Sequence, residues 1–135
     1  MIQVVSGIFL VLHGLVHLLY VGQSQKVFEL QTGLTWPDNA WTFSRLLGND
    51  ATRILASVAL IVAAIGFVGG GIGIFASQAW WRPLTLGAVV LSSILYLLLW
   101  DGTVQRLDQQ GAVGILINIA ILVAVVVLGW PEFSF

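Results

Sequence analysis

The run Ile54-Leu55-Ala56-Ser57-Val58-Ala59-Leu60-Ile61-Val62-Ala63-Ala64-Ile65-Gly66-Phe67 carries no charged side chain and no alternation of polar with apolar residues. A second run, from Ile115 to Leu128, reads the same way, with Asn118 as its one strongly polar residue. Strands of a membrane barrel alternate with a period of two, which both runs lack. Hydrocarbon satisfies no backbone N–H or C=O, so a segment of this kind must bond within itself as a helix. About 20 apolar residues are needed to cover a core of about 30 Å. Working outward from the two runs, four segments qualify: residues 2–21, 52–76, 83–100 and 112–130. The expected fold is an all-α integral membrane bundle of four transmembrane helices, a single domain over residues 1–135.

Composition agrees. The chain is 59% hydrophobic and 8% charged, where soluble domains hold roughly 45–50% and about 25%. So few charges would not keep a folded surface in water, and the solvent that suits it is the lipid bilayer. The net charge of −1 leaves no basic patch for a nucleic-acid partner. The chain has no cysteine, which removes disulfides, thiolate metal sites and thiol catalysis. The first apolar segment lacks a cationic n-region and a small-x-small cleavage site, so it is expected to be a retained helix, not a cleaved leader.

The segment ends carry matching signals. Pro83 falls in the first turn of the third segment, where its missing N–H costs nothing. Asn49 or Asp50 is placed to cap the second. Trp80, Trp81, Trp100 and Trp130 lie at segment ends, as an interfacial aromatic belt requires. The one long connection, residues 22–49, is too apolar for disorder. Trp41-Thr42-Phe43-Ser44-Arg45-Leu46-Leu47, after Trp36-Pro37-Asp38, predicts a short interfacial helix, and the connection is expected to lie as a lid over one end of the bundle. Lys26, Arg45, Arg53 and Arg106 fall on the loop side and Arg82 alone among Lys and Arg on the side of the termini, which predicts cytoplasmic loops and external termini.

Chemistry concentrates in Leu12-His13-Gly14-Leu15-Val16-His17-Leu18-Leu19-Tyr20. His13 and His17, four apart, share a helix face with Ser6 and Tyr20, and Gln3 extends the stripe. Such a stripe must face protein, cofactor or water. As cofactor ligands, His13, His17 and Tyr20 would meet a haem, a quinone or a pigment; as a relay, the imidazoles would pass protons. The alternative is hydrogen bonding across the bundle, to Asn118 or to Ser92 and Tyr96. Ser6, Ser92, Tyr96 and Asn118 would then form a polar seam, with Thr85 on the same side of the third segment. No metal site is expected: a third ligand would have to be a carboxylate, and all six acidic residues lie outside the predicted hydrocarbon core. No nucleophile, base and orienting group come together in the pattern either.

Glycine supplies the other motif. Gly66/Gly70 and Gly69/Gly73 are small-xxx-small pairs, Gly7 and Gly14 lie seven apart on the first segment, and the fourth adds Gly111 and Gly114. These positions let helix backbones approach closely.

The stretch His13-Gly14-Leu15-Val16-His17-Leu18, closing the first helix ahead of a long loop and three more helices, resembles the DoxX-like group of small bacterial four-helix membrane proteins. In that group the first helix often ends in His-Gly-x-x-Lys-Leu; here His17 stands at the lysine position. The resemblance covers the architecture and about six residues, and implies a bacterial inner-membrane setting and a loose link to quinol oxidation and redox homeostasis. From the residues themselves, the leading expectation is a non-catalytic accessory subunit of a membrane assembly, or a homo-oligomer, with membrane proteins or itself as partner. The alternatives are a redox-linked protein holding a cofactor through its histidines and a pathway for protons or small solutes.

Overall fold

The computed structural model describes residues 1–135, and its regular structure is all helical, without a strand. Its helices are α1 (Ile2–Ser24), α2 (Phe43–Phe75), α3 (Trp81–Leu98) and α4 (Ala112–Leu122), the last running on through a π-helical turn at Val123–Val127. The first three are long and apolar enough to cross a membrane. The fourth is shorter than the sequence predicts. The 11 residues of α4 and the 5 of the π turn reach about 24 Å at 1.5 Å per residue, against a core of about 30 Å. It stops before Trp130 because Gly129 turns left-handed (φ +63°). The Leu128 and Trp130 N–H groups then fold back to the carbonyls of Val123 (3.0 Å) and Ala124 (2.8 Å). This is a glycine C-cap widened to fit the π turn.

The short helix foreseen at residues 41–47 is present from Phe43 onward, as the start of α2. Gly48, at φ +80° and ψ +169°, breaks it from the long apolar stretch that follows. That backbone is open essentially to glycine alone. Neither foreseen cap serves α2: Asn49 Oδ1 accepts the Asn39 N–H (3.0 Å), and Asp50 pairs with Arg53 (2.7 Å). Arg53 also grips Asp38 through two bonds of 2.7 and 2.6 Å, which fastens the long connection to α2. The connection packs over the bundle end remote from the termini. Leu34, Trp36 and Ala40 are buried there with Leu60, Leu95, Tyr96 and Leu99. Trp41 Nε1 and Thr42 Oγ1 donate to the last carbonyls of α3, at Leu97 (2.7 Å) and Leu98 (2.8 Å), so loop side chains satisfy a helix end that has no partner of its own.

In chain order the helices pack α1 on α2, α2 on α3 and α3 on α4. The exterior is apolar and the polar side chains are inside. On α4, Asn118 is 0% exposed while Leu116 and Ile119 are 65% and 50% exposed. This inversion suits contact with lipid. Trp80 and Trp130 lie at the surface as a belt would have them, but Trp81 is buried against Phe133, whose ring stands 5.6 Å away. The C-terminal tail has folded back over it.

The glycines foreseen for packing on α1 and α2 are used within the chain, whereas a Cβ at Gly114 would meet Tyr96 only at an ordinary 3.5 Å. A Cβ at Gly66, Gly69 or Gly73 would come within 2.7–2.9 Å of Ala88, Leu84 or Trp81, and one at Gly70 would strike Thr85, all on α3. Gly7 meets Phe75 and Gly14 meets Val68, both on α2. Gly71, not singled out from the sequence, is the tightest backbone approach: a Cβ there would lie 2.7 Å from the Gly7 carbonyl oxygen. Gly87 has nothing within 4 Å. Gly71→Ala should therefore push α1 from α2 and destabilise the protein by roughly 1–3 kcal/mol, whereas Gly87→Ala should be neutral or stabilising by up to about 1 kcal/mol. Reversible unfolding in mixed detergent micelles measures both.

Candidate functional site

Midway along the bundle, between an apolar cluster around Phe67 and Ile74 and another around Leu60 and Tyr96, lies a layer of four polar side chains. His13 and His17 come from α1, Ser92 from α3 and Asn118 from α4. The 3.6-residue period sets both imidazoles on the inward face of α1, where they are 6% and 1% exposed.

The hydrogen bonds of this layer admit one neutral arrangement. His17 Nδ1 lies 2.9 Å from the carbonyl oxygen of His13, which only accepts, so Nδ1 carries the proton. In a neutral ring Nε2 is then an acceptor, and it takes the Ser92 hydroxyl proton at 2.7 Å. Ser92 Oγ accepts in turn from Asn118 Nδ2 (3.0 Å), whose other proton is directed at Ser93 Oγ (3.2 Å). Asn118 Oδ1, 2.9 Å from His13 Nε2, accepts from that nitrogen. The circuit leaves His13, passes through α4 and α3, and returns to His13 through its own carbonyl. Running it backwards would put a bare lone pair of His17 against the His13 carbonyl or require a cationic ring. Three of the four ring nitrogens are thus committed to the protein. Nδ1 of His13 keeps its lone pair and has no protein partner.

Aromatic packing surrounds the layer. Phe9 lies parallel to His13 at 6.0 Å, and Phe67 stands edge-on to it at 4.6 Å. Phe67 also flanks His17 at 5.1 Å, and the two imidazoles meet edge-to-face at 5.2 Å.

The foreseen polar stripe is only partly assembled. Tyr96 is buried beside His17 at 5.9 Å and joins by ring packing. The Tyr20 hydroxyl turns toward the Gln109 carbonyl (3.4 Å), and its ring sits between Trp36 and Tyr96. Ser6 lines an apolar cavity nearer the termini, and Gln3 bonds the Ile74 carbonyl at the end of α2 (2.7 Å). Thr85 is buried against Gly70 with its hydroxyl unbonded. Glu29 and Asp101 bond locally, to the Gly33 N–H and to Thr103, and do not reach His17. No three His, Asp or Glu side chains gather as a metal-holding group. Ser93, not singled out by the sequence pattern, enters as the second hydroxyl of the Ser92-Ser93 pair, its one local signal.

Removing the amide of Asn118 leaves His13 Nε2 and Ser93 without their partner, while Ser92 keeps its bond to His17. A buried group left unbonded costs about 1–3 kcal/mol, while a single interhelical bond in a membrane averages about 0.6 kcal/mol. Asn118→Leu should thus destabilise the protein by roughly 2 kcal/mol and Ser93→Ala by about 0.5 kcal/mol or less, measured as above. Comparison with family models, with curated proteins and with solved structures gives no match.

Proposed function

We propose that this chain is a small, non-catalytic integral membrane protein that crosses the bilayer four times and serves as an accessory or structural component of a larger membrane assembly or a homo-oligomer. The observation that carries this reading is the closure of the polar layer, in which His17 spends both ring nitrogens and His13 one on protein partners. A catalytic or metal-binding histidine needs a free lone pair or an exchangeable proton, and His17 has neither to spare. The circuit also returns to the residue it began from, so it favours a clamp over a proton wire through the membrane. The fourth crossing is supported by the inward Asn118 and outward Leu116 and Ile119 of α4, local thinning of the bilayer accommodating its length. Lys26, Arg45, Arg53 and Arg106 at the loop end favour cytoplasmic loops, and the likeness to DoxX-like proteins favours a bacterial plasma membrane.

Because the foreseen glycines of α1 and α2 are consumed in packing α1, α2 and α3, a partner would meet the outer apolar faces. The test is extraction of the native membrane with a mild detergent, followed by native electrophoresis and mass spectrometry. The expected species is heavier than the 14.6 kDa chain and persists in a His13→Gln, His17→Gln double variant that retains its helicity. A 14.6 kDa monomer at all protein concentrations would refute the assembly reading.

A second reading rests on Nδ1 of His13. Its free lone pair suits one hydrogen bond from the hydroxyl of a quinol, in keeping with the DoxX-like resemblance. Its setting between Phe9 and Phe67 does not suit a porphyrin ring. On this reading, wild-type protein purified under reducing conditions carries a quinol and His13→Phe loses it. Equal quinol content in both proteins would dismiss it.

A further inference from the structure

At the end of the bundle that holds both termini, a cavity of about 320 Å³ lies between α1, α3 and α4. Its walls include Val5, Phe9, Leu10, Ile121, Ala124 and Val125, with Trp81, Trp130 and Pro131 also part of the lining. Ligand pockets generally measure about 300–1,000 Å³, and apolar cavities stay dry and take hydrocarbon. A second, polar hollow adjoins it. This one shares Trp81 and Pro131 with the first and is lined further by Arg82, Glu132 and Phe133.

Arg82 is the only Lys or Arg at this end of the protein, and it forms no ion pair. Its guanidinium lies 5.5 Å from the centre of the Trp81 ring, at the N-terminus of α3. By contrast, Arg53 at the opposite end is tied to Asp38 and Asp50. An unpaired guanidinium fits a phosphate through two parallel hydrogen bonds, and the positive end of a helix dipole adds to that attraction. Glu132 lines the same hollow without pairing with Arg82. A headgroup that bears an ammonium beside its phosphate therefore finds an opposite charge for each. An apolar slot that leads to a cation and an anion matches one kind of molecule abundant in a bilayer.

We propose that the two hollows form a site for a zwitterionic glycerophospholipid of the ethanolamine type, one acyl chain lying between α1, α3 and α4, the phosphate on Arg82 and the ammonium at Glu132. The site rests on the chain's membrane placement but not on its having a protein partner. Failure of the protein to partition with membranes would undo that placement, whereas the lipid measurement below addresses this site alone.

The experiment is native mass spectrometry of the protein released from nanodiscs containing equal amounts of dioleoyl phosphatidylethanolamine and dioleoyl phosphatidylglycerol. Wild type should retain one phosphatidylethanolamine in preference to phosphatidylglycerol. Ala124→Phe, which fills the slot, and Arg82→Gln should each lower retention about tenfold, equivalent to about 1.4 kcal/mol. Val90→Phe on the outer face of α3 should leave it unchanged. Should the slot-filling variant misfold, a brominated-chain phosphatidylethanolamine that quenches wild-type tryptophan fluorescence saturably, and does so less in Arg82→Gln, supports the site. Retention equal in wild type, Ala124→Phe and Arg82→Gln, or a preference for phosphatidylglycerol, overturns it.

Discussion

Hydrocarbon offers no hydrogen bonds, so a polar side chain placed deep in a membrane helix must find its partners inside the protein. Asn118 has the most to satisfy, with two donors and an acceptor in the middle of an otherwise apolar helix. The protein answers it by bringing α1 and α3 to the amide at once, through His13 at 2.9 Å and Ser92 at 3.0 Å. Without them α4 packs chiefly on α3. The polar layer therefore fixes both the depth and the rotation of the fourth helix, and closes a bundle whose other helices meet in simple chain order.

The remaining features follow from the same solvent. Apolar attraction between helices counts for little among lipid tails, so close backbone approach and loop bonding carry more of the association. Glycine at 71 lets α1 touch α2 at backbone level, and the series from Gly66 to Gly73 seats α3. At the loop end, Arg53 with Asp38 and the bonds of Trp41 and Thr42 to α3 pin the long connection as a lid. At the opposite end no such lid exists; the C-terminal tail folds over Trp81 and leaves a slot between α1, α3 and α4. One end is thus covered by the long connection, and the other holds an apolar cavity.

Much of this was legible in the sequence because membrane solvation writes itself into local runs. The apolar stretches gave three long helices, and the spacing of His13, His17, Ser92 and Asn118 marked the residues that meet, down to the partners Asn118 and Ser92. What escaped depends on tertiary position. The early end of α4 follows from the left-handed turn at Gly129, which no hydropathy window registers. Trp81 looked like a belt residue until the tail placed Phe133 against it. Asn49 and Asp50 looked like caps, but the long connection and Arg53 claimed both side chains. Gly71 stood within a glycine cluster, and only the path of α1 singles it out.

The two histidines are neutral members of a closed structural circuit. The most direct measurement is solid-state ¹⁵N NMR of the histidine side chains, with the selectively labelled protein in bilayers at neutral pH. Two neutral rings of opposite tautomer are expected, His13 protonated at Nε2 and His17 at Nδ1. An imidazolium signal, a metal-shifted nitrogen, or a His17 ring protonated at Nε2 alone would contradict this.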